Sequence, residues 1–354
     1  MNVLVVSNMG PKISAPLQGG FVEKQVNRLI QNGHQLSYFK LNWNGDSLIH
    51  KVFKYPVFFV HFFIKHIFSL EKFDIIHVHF YFPTIFCALF YRIFRNHKVK
   101  VIVTCHGSDV YSYQSPSFLY RKLSFIVDFW YFTSRDLAMR FYRNVNEKSI
   151  LCAGYDDSVF VPNATLNERK VDCTFIGSLD YNKGVDRLIW LVENTPEVNF
   201  SVIGTGKFQY QLEQCAISNI NLTILGPKTP IEVAKTLKQS KCLLSLSRNE
   251  SFGLVMSEAH ACGALCIATQ TDGSSAQLVE WPYIVEQNNS EKMILKEVQS
   301  HIRDCLCLSS NDYQKMQEKA MRNVESFSLT FVSKEIGKKY KNLYLKNNEF
   351  DDVG

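Results

Sequence analysis

Apolar and polar positions along this 354-residue chain follow two repeating styles. Short, nearly continuous apolar runs at Val3–Val6, Leu36–Phe39, Ile75–His79, Val101–Cys105 and Ile150–Leu151 read as strands buried on both faces. Helix-length segments separate them: Phe21–Asn32, Pro56–Ser69, Thr84–Phe94 and Phe118–Phe129. The second half repeats the style, with strands predicted at Cys173–Ile176, Phe200–Ile203, Leu222–Leu225, Cys242–Ser245 and Leu265–Ala268. Strands alternating with crossover helices predict parallel sheets, hence two doubly wound α/β domains. The polar stretch Pro162–Asn167 separates two strand patterns and sets the expected boundary, with domains at 1–163 and 164–326. Such sheets bind ligands at the carboxyl ends of their strands, so two facing domains would form a cleft lined by loops of both.

Composition narrows the class. Apolar residues make up 46% and charged residues 20%, the balance of a globular chain long enough for two cores. Met1–Gly10 lacks the basic start and long apolar run of a secretory signal and reads as a first strand. The uncharged run Ile75–Tyr91 is short for a membrane span, so no transmembrane segment is predicted. The ten cysteines form no Cys-x-x-Cys pair, which argues against zinc or a disulfide framework and for reduced, buried thiols in the cytosol. Charge is uneven: residues 1–163 hold 18 Lys and Arg against 10 Asp and Glu, whereas 164–354 hold 21 against 23. The first half therefore suits an anionic partner.

Residues 48–72 sharpen that expectation. Phenylalanines and aliphatics dominate the segment, and Lys54, His61, Lys65 and Lys72 recur at helical spacing, as on an amphipathic helix facing an anionic lipid surface. An ordinary domain helix with a buried apolar side is the competing reading. No nucleic-acid recognition motif accompanies the basic residues, so nucleic acid is not an expected partner.

Candidate chemistry concentrates in Ser245–Gly263. A strand ends near Ser245, and a polar loop carrying Arg248, Glu250, Phe252 and Gly253 enters a helix beginning with Leu254 and containing Glu258. A helix start offers backbone N–H groups to a phosphate or sugar hydroxyl, and carboxylates accept from vicinal hydroxyls. Glu258 then fits a ribose and Glu250 a transferred sugar. For a lone pair of glutamates, a charged helix start with a solvated face is the commoner explanation. In the first half, Gly19 and Gly20 open the loop after the first strand, and His106 ends the Val101–Cys105 strand.

The order Glu250-Ser-Phe-Gly-Leu-Val-x-x-Glu258 resembles the Glu-x7-Glu motif of the family-four retaining glycosyltransferases. Phe175–Leu179 with Lys183-Gly184, Gly204-Thr-Gly206, Gly154–Pro162, Gly19–Glu23 and His106–Asp109 resemble further motifs of that family in the same order. The resemblance implies a GT-B fold of two Rossmann-like domains, the first acceptor-side and the second binding a nucleotide sugar, with a final helix over about 327–354 crossing back to the first.

It also implies roles. Lys183 would hold the diphosphate, and His106 would contact the sugar together with Glu250. Gly19, Gly20, Ser178, Gly204, Gly206, Arg248, Phe252, Gly253, Leu254 and Glu258 would line the donor site, and Asp109 would be an acceptor contact or a cap. Ser178 stands where the family has arginine, so either its hydroxyl alone meets the phosphate or another cation such as Arg248 or Lys207 compensates. Gln277 stands where it usually has glutamate, which is either a tuning of that loop toward a different sugar or tolerated drift. With no Asp-x-Asp motif in context, no metal or other cofactor is expected.

The implied reaction is front-face transfer of a hexose with retention. UDP-sugar is the first expectation and GDP-mannose the next. The acceptor would be a lipid-linked glycan in surface polysaccharide or lipopolysaccharide assembly, at the cytoplasmic face of the plasma membrane. A GT-B nucleotide-sugar epimerase and a non-catalytic nucleotide-sugar-binding subunit are the competing readings.

Overall fold

The computed structural model describes residues 1–10, 18–162 and 166–349, and divides into two compact units. The first comprises Met1–Gly154 and the C-terminal segment from Leu329, the second Tyr155–Ser328.

The first unit is built on six parallel strands, β1 (Asn2–Ser7), β2 (Gln35–Lys40), β3 (Ile75–His79), β4 (Lys100–Cys105), β5 (Phe129–Phe132) and β6 (Lys148–Ile150). Their order is β2-β1-β3-β4-β5-β6. The run Val3–Val6 is fully buried, which is why it reads as unbroken hydrophobicity. Register aligns Ser7 with His79 and His79 with Thr104, so three strands end together. The C-terminal helix Leu329–Glu349 docks through Val332, Ile336 and Tyr340, which recur every four residues and are buried. Asn32, at the C-terminal cap of the helix Gly20–Gln31, bonds to Ser333 at 3.1 Å, and Arg28 within that helix bonds to Thr330.

The second unit repeats the plan with β7 (Val171–Ile176), β8 (Phe200–Ile203), β9 (Leu222–Gly226), β10 (Ser240–Ser245), β11 (Leu265–Thr269) and β12 (Ile284–Val285), ordered β12-β11-β10-β7-β8-β9 and wholly parallel. Strand order reverses between β7 and β10, the kind of switch point outside which α/β sheets bind ligands.

Several details differ from the sequence reading. The division falls before the polar stretch at Pro162, because Tyr155 already donates to the Phe327 carbonyl and Phe160 lies in the second core. Residues 163–165, at the expected boundary, and 350–354, at the expected helix end, lie outside the described residues. The helix expected to reach Phe129 ends at Leu123, and the aromatic run Phe129–Phe132 is instead β5. The segment expected from Pro56 starts at Leu48, capped by Ser47, and widens into a π-turn at Phe63–Ile67. Lys72 lies beyond both, so the four basic residues do not share one helix face. Among the described residues, no helix is long and apolar enough to cross a membrane. Nine of the ten cysteines are buried and Cys307 is exposed, and none of the ten is in a disulfide.

Candidate functional site

In the second unit the loops that follow β7 and β10 meet at the switch point. The β7 loop carries Ser178 and Lys183, and its turn is set by Asp180, whose carboxylate accepts the Lys183 backbone N–H at 2.9 Å. The β10 loop carries Arg248, Glu250 and Phe252 into the helix Leu254–Ala261. Asn182 and Asn249 tie the loops together through the Asn182 amide to the Asn249 carbonyl at 3.0 Å, with Arg248 N–H to the Asn182 carbonyl at 2.7 Å. Lys183 Nζ thereby forms an ion pair with Glu250 Oε2, both side chains partly exposed. Charges this close in a half-excluded environment interact more strongly than on an open surface.

Gly253 caps this helix in the left-handed region at φ 77°, where a Cβ would lie 2.8 Å from Glu250 Cγ. Only glycine lets the loop turn while Glu250 keeps its place. Leu254 is the first helical residue, and Glu258 lies one turn further on, partly exposed. Gly204, at φ 146° in the loop after β8, would put a Cβ 1.8 Å from the Gly177 carbonyl oxygen, and Gly206 packs on Leu179 in the same way. These glycines therefore bring the β7 and β8 loops into contact with each other. Ser178 is exposed at the tip of the β7 loop.

Two expectations need correction. Arg248 does not offer its charge as a spare phosphate ligand: it pairs with Asp186 at 2.7 and 2.9 Å and with Glu291 at 2.9 Å, and its guanidinium stacks 3.6 Å over Tyr181. Its charge is already balanced, and these carboxylates hold it in the charged form. Lys207, exposed after β8, makes no ion pair among the described residues and is the remaining candidate of the two. Gln277 does not face a sugar. It is buried, its amide donates to the carbonyls of Phe252, Gly253 and Gly273, and its oxygen accepts from Ser257. It splints the Glu250 loop to the helix, and an ionised glutamate there would confront three carbonyl oxygens.

In the first unit, Gly19 and Gly20 lie at the head of the helix Gly20–Gln31, and His106 follows β4. Asp109 is buried and accepts three backbone N–H groups, from Tyr81 at 2.8 Å and from His106 and Gly107 at 3.0 Å each. Of its two expected roles it fills the cap. Burial pushes its carboxyl up, while those N–H bonds pull the other way. His106 packs against the rings of Phe21 and Phe80 at 5.0 and 4.5 Å. Phe80 holds φ 64°, a costly conformation for an aromatic residue and one that clusters at functional sites. Beside this loop lies a cavity of about 500 Å³ lined by Asn8, Gln18, Lys51, Tyr55, Phe82 and Tyr113 among others.

The sequence reading missed Gln277 as a splint and His79 as the partner of His106 (Nδ1 to Nε2, 3.0 Å). For His79 the signal was present: His77 and His79 alternate in a strand and must share one face.

Comparison with known proteins bears on the family and the fold. The family described as "Glycosyl transferases group 1" matches residues 159–322, and "Glycosyltransferase Family 4" matches residues 20–143. An uncharacterized glycosyltransferase of Methanocaldococcus jannaschii is 25% identical over 309 residues, 81% of this chain and 86% of its own length. Among solved structures, sucrose-phosphate synthase from Thermosynechococcus elongatus superposes with a TM-score of 0.76 at 16% identity, covering 98% of this chain and 100% of that one. HepE of Anabaena, solved in complex with UDP and glucose, superposes at 0.68 and 14% identity, covering 97% and 100%. At these identities the solved structures speak for the fold alone.

Proposed function

Because this chain belongs to the family-four glycosyltransferases, built on the GT-B fold, we propose that it moves a hexose from a nucleotide diphosphate sugar to a lipid-linked glycan with retention of configuration. The observation that carries this reading is the Lys183–Glu250 pair at the β7/β10 switch point, directly before a helix start. A diphosphate arriving there competes with Glu250 for the lysine. The lysine then balances the leaving phosphate, and the released carboxylate accepts a sugar hydroxyl. Glu258 serves the ribose, Gly253 and Leu254 bring backbone N–H groups to the phosphates, and Lys207 adds charge where Ser178 replaces arginine. The resemblance assigns His106 the contact with the transferred sugar. Cationic side chains stand in for a divalent metal, so the reaction runs without one. UDP-sugar is the first choice, in keeping with the UDP and glucose bound by HepE, and GDP-mannose is the second.

The acceptor reading rests on the first unit. Its cavity holds Lys51 and Lys54 among aromatic rings, and the same helix leaves Leu48, Ile49, Val52 and Phe53 exposed. Val60, Ile64, Phe68 and Leu70 continue the apolar surface next to Lys65. Anionic and apolar parts of one acceptor fit such a surface, as does peripheral attachment to the inner face of the plasma membrane during surface polysaccharide assembly.

The test is transfer from a panel of UDP-, GDP- and ADP-sugars to a lipid extract, with EDTA and with Lys183→Met. Turnover unaffected by EDTA and reduced about 100- to 1000-fold by Lys183→Met supports the reading. Product formed without any acceptor would favour the epimerase. Sedimentation with phosphatidylglycerol vesicles tests attachment, and its absence would remove the membrane part alone.

A further inference from the structure

β3 closes with His77-Val-His79, two imidazoles on one face of a strand, both buried. His77 uses both ring nitrogens: Nδ1 lies 2.7 Å from the Tyr340 hydroxyl, and Nε2 lies 2.7 Å from the Thr104 hydroxyl. Its ring is 4.5 Å from that of His79, whose ring in turn stacks on His106 at 5.2 Å and 17°. The C-terminal helix, through Tyr340, thus braces a row of three histidines that ends at the loop after β4.

His79 is satisfied on one side only. Its Nδ1 is 3.0 Å from His106 Nε2, and its own Nε2 is buried without a partner. Burial keeps all three rings neutral, His77 and His106 being pushed down to about 3 and His79 well below its usual range. A hydrogen bond between two neutral imidazoles needs one N–H and one lone pair, so only two arrangements exist. If His106 donates from Nε2, His79 must carry its proton on its own Nε2, a buried N–H with nothing to accept it. If His79 donates from Nδ1, the buried atom without a partner is a bare lone pair. Orphaned buried N–H groups are the rarer and costlier of the two.

We propose that His79 is a positioning residue that donates from Nδ1 to His106 Nε2 and so fixes His106 in the tautomer protonated at Nδ1. In that tautomer Nδ1 carries the proton and the Nε2 lone pair is taken by His79, so His106 cannot act as a base. The consequence for transfer rests on the reading of His106 as the sugar contact, whereas the tautomer itself does not.

Two measurements on the full chain separate these. Long-range 1H–15N correlation on 15N-histidine protein is expected to show His106 with a protonated Nδ1 and a bare Nε2. A protonated Nε2 on His106 overturns the proposal whatever the activity. In the transfer assay, His79→Leu is expected to lower kcat about 10- to 100-fold, the usual cost of losing an orienting partner, with the donor KM within about twofold. His79→Asn, whose Nδ2 can occupy the place of Nδ1, is expected to restore most of that loss, and His79→Gln is not. An Asn variant as impaired as Leu, with both folded, also overturns it. The expected tautomer without any transfer would count against the function reading only. Should His79→Leu fail to fold, the wild-type tautomer decides by itself.

Discussion

Replacing Asp109 by asparagine alters the chemistry of one carboxyl and almost nothing of its size. In the wild-type protein Oδ1 accepts the His106 and Gly107 N–H groups, both at 3.0 Å, and Oδ2 accepts that of Tyr81 at 2.8 Å. Asparagine keeps one oxygen. Its better orientation holds the His106 and Gly107 pair and turns the amide NH2 toward Tyr81, a fully buried residue whose N–H is then orphaned. An unmet buried N–H costs about 1–3 kcal/mol, and the two surviving bonds lose their charge assistance at about 0.5–1 kcal/mol each. Relief of the buried charge offsets part of this, leaving a destabilisation of about 2–3 kcal/mol. For a unit of this size each kcal/mol lowers Tm by about 2–4 °C, so a fall of about 4–12 °C is expected. Calorimetry of the full chain reads it, and the transfer assay should show kcat reduced as the His106 loop loosens. A variant with unchanged Tm and a raised KM for the acceptor would refute the cap and make Asp109 a substrate contact.

Acid stability gives a second check. The folded state holds His77 and His79 neutral, while unfolded histidines titrate near 6.5, so the unfolded chain binds more protons below that pH. Their contribution is complete above pH 6.5 and lost as pH falls toward 3. Urea midpoints should drop between pH 6.5 and 5 with a slope of about 1.4 kcal/mol per pH unit for each such histidine, and a flat profile would contradict their buried, neutral state. Gln277→Leu strips donors from three carbonyls around Gly253 and should cost about 2–4 kcal/mol in urea unfolding while weakening donor binding; unaltered stability would show that the splint is not needed. Arg248→Gln should cost about 1–2 kcal/mol by stranding Asp186, while Glu291 keeps its pairing with Arg187, and nucleotide-sugar affinity should change less than about threefold. A large loss of affinity by calorimetric titration would return Arg248 to the donor site.

Much of this architecture was legible along the chain, because strands buried on both faces need no partner to be recognised. Val3–Val6 announces itself by an unbroken apolar run, and Ile75–His79 and Phe200–Ile203 by nearly continuous ones. The motif order from Gly19 to Glu258 carried the family. Where periodicity is ambiguous the reading failed: Phe129–Phe132 is short and aromatic, and a helix pattern absorbs it as readily as a strand. β12 is two residues long and leaves no periodic trace. What only the tertiary structure decided are pairings across long sequence separations. Lys183 meets Glu250, Gln277 grips the Phe252 carbonyl, Asp186 and Glu291 claim Arg248, and His79 reaches His106. A side chain's type limits which bonds it can make, but which bond it does make depends on the direction of loops at strand ends. Sheet order sets those directions, and no local pattern encodes it.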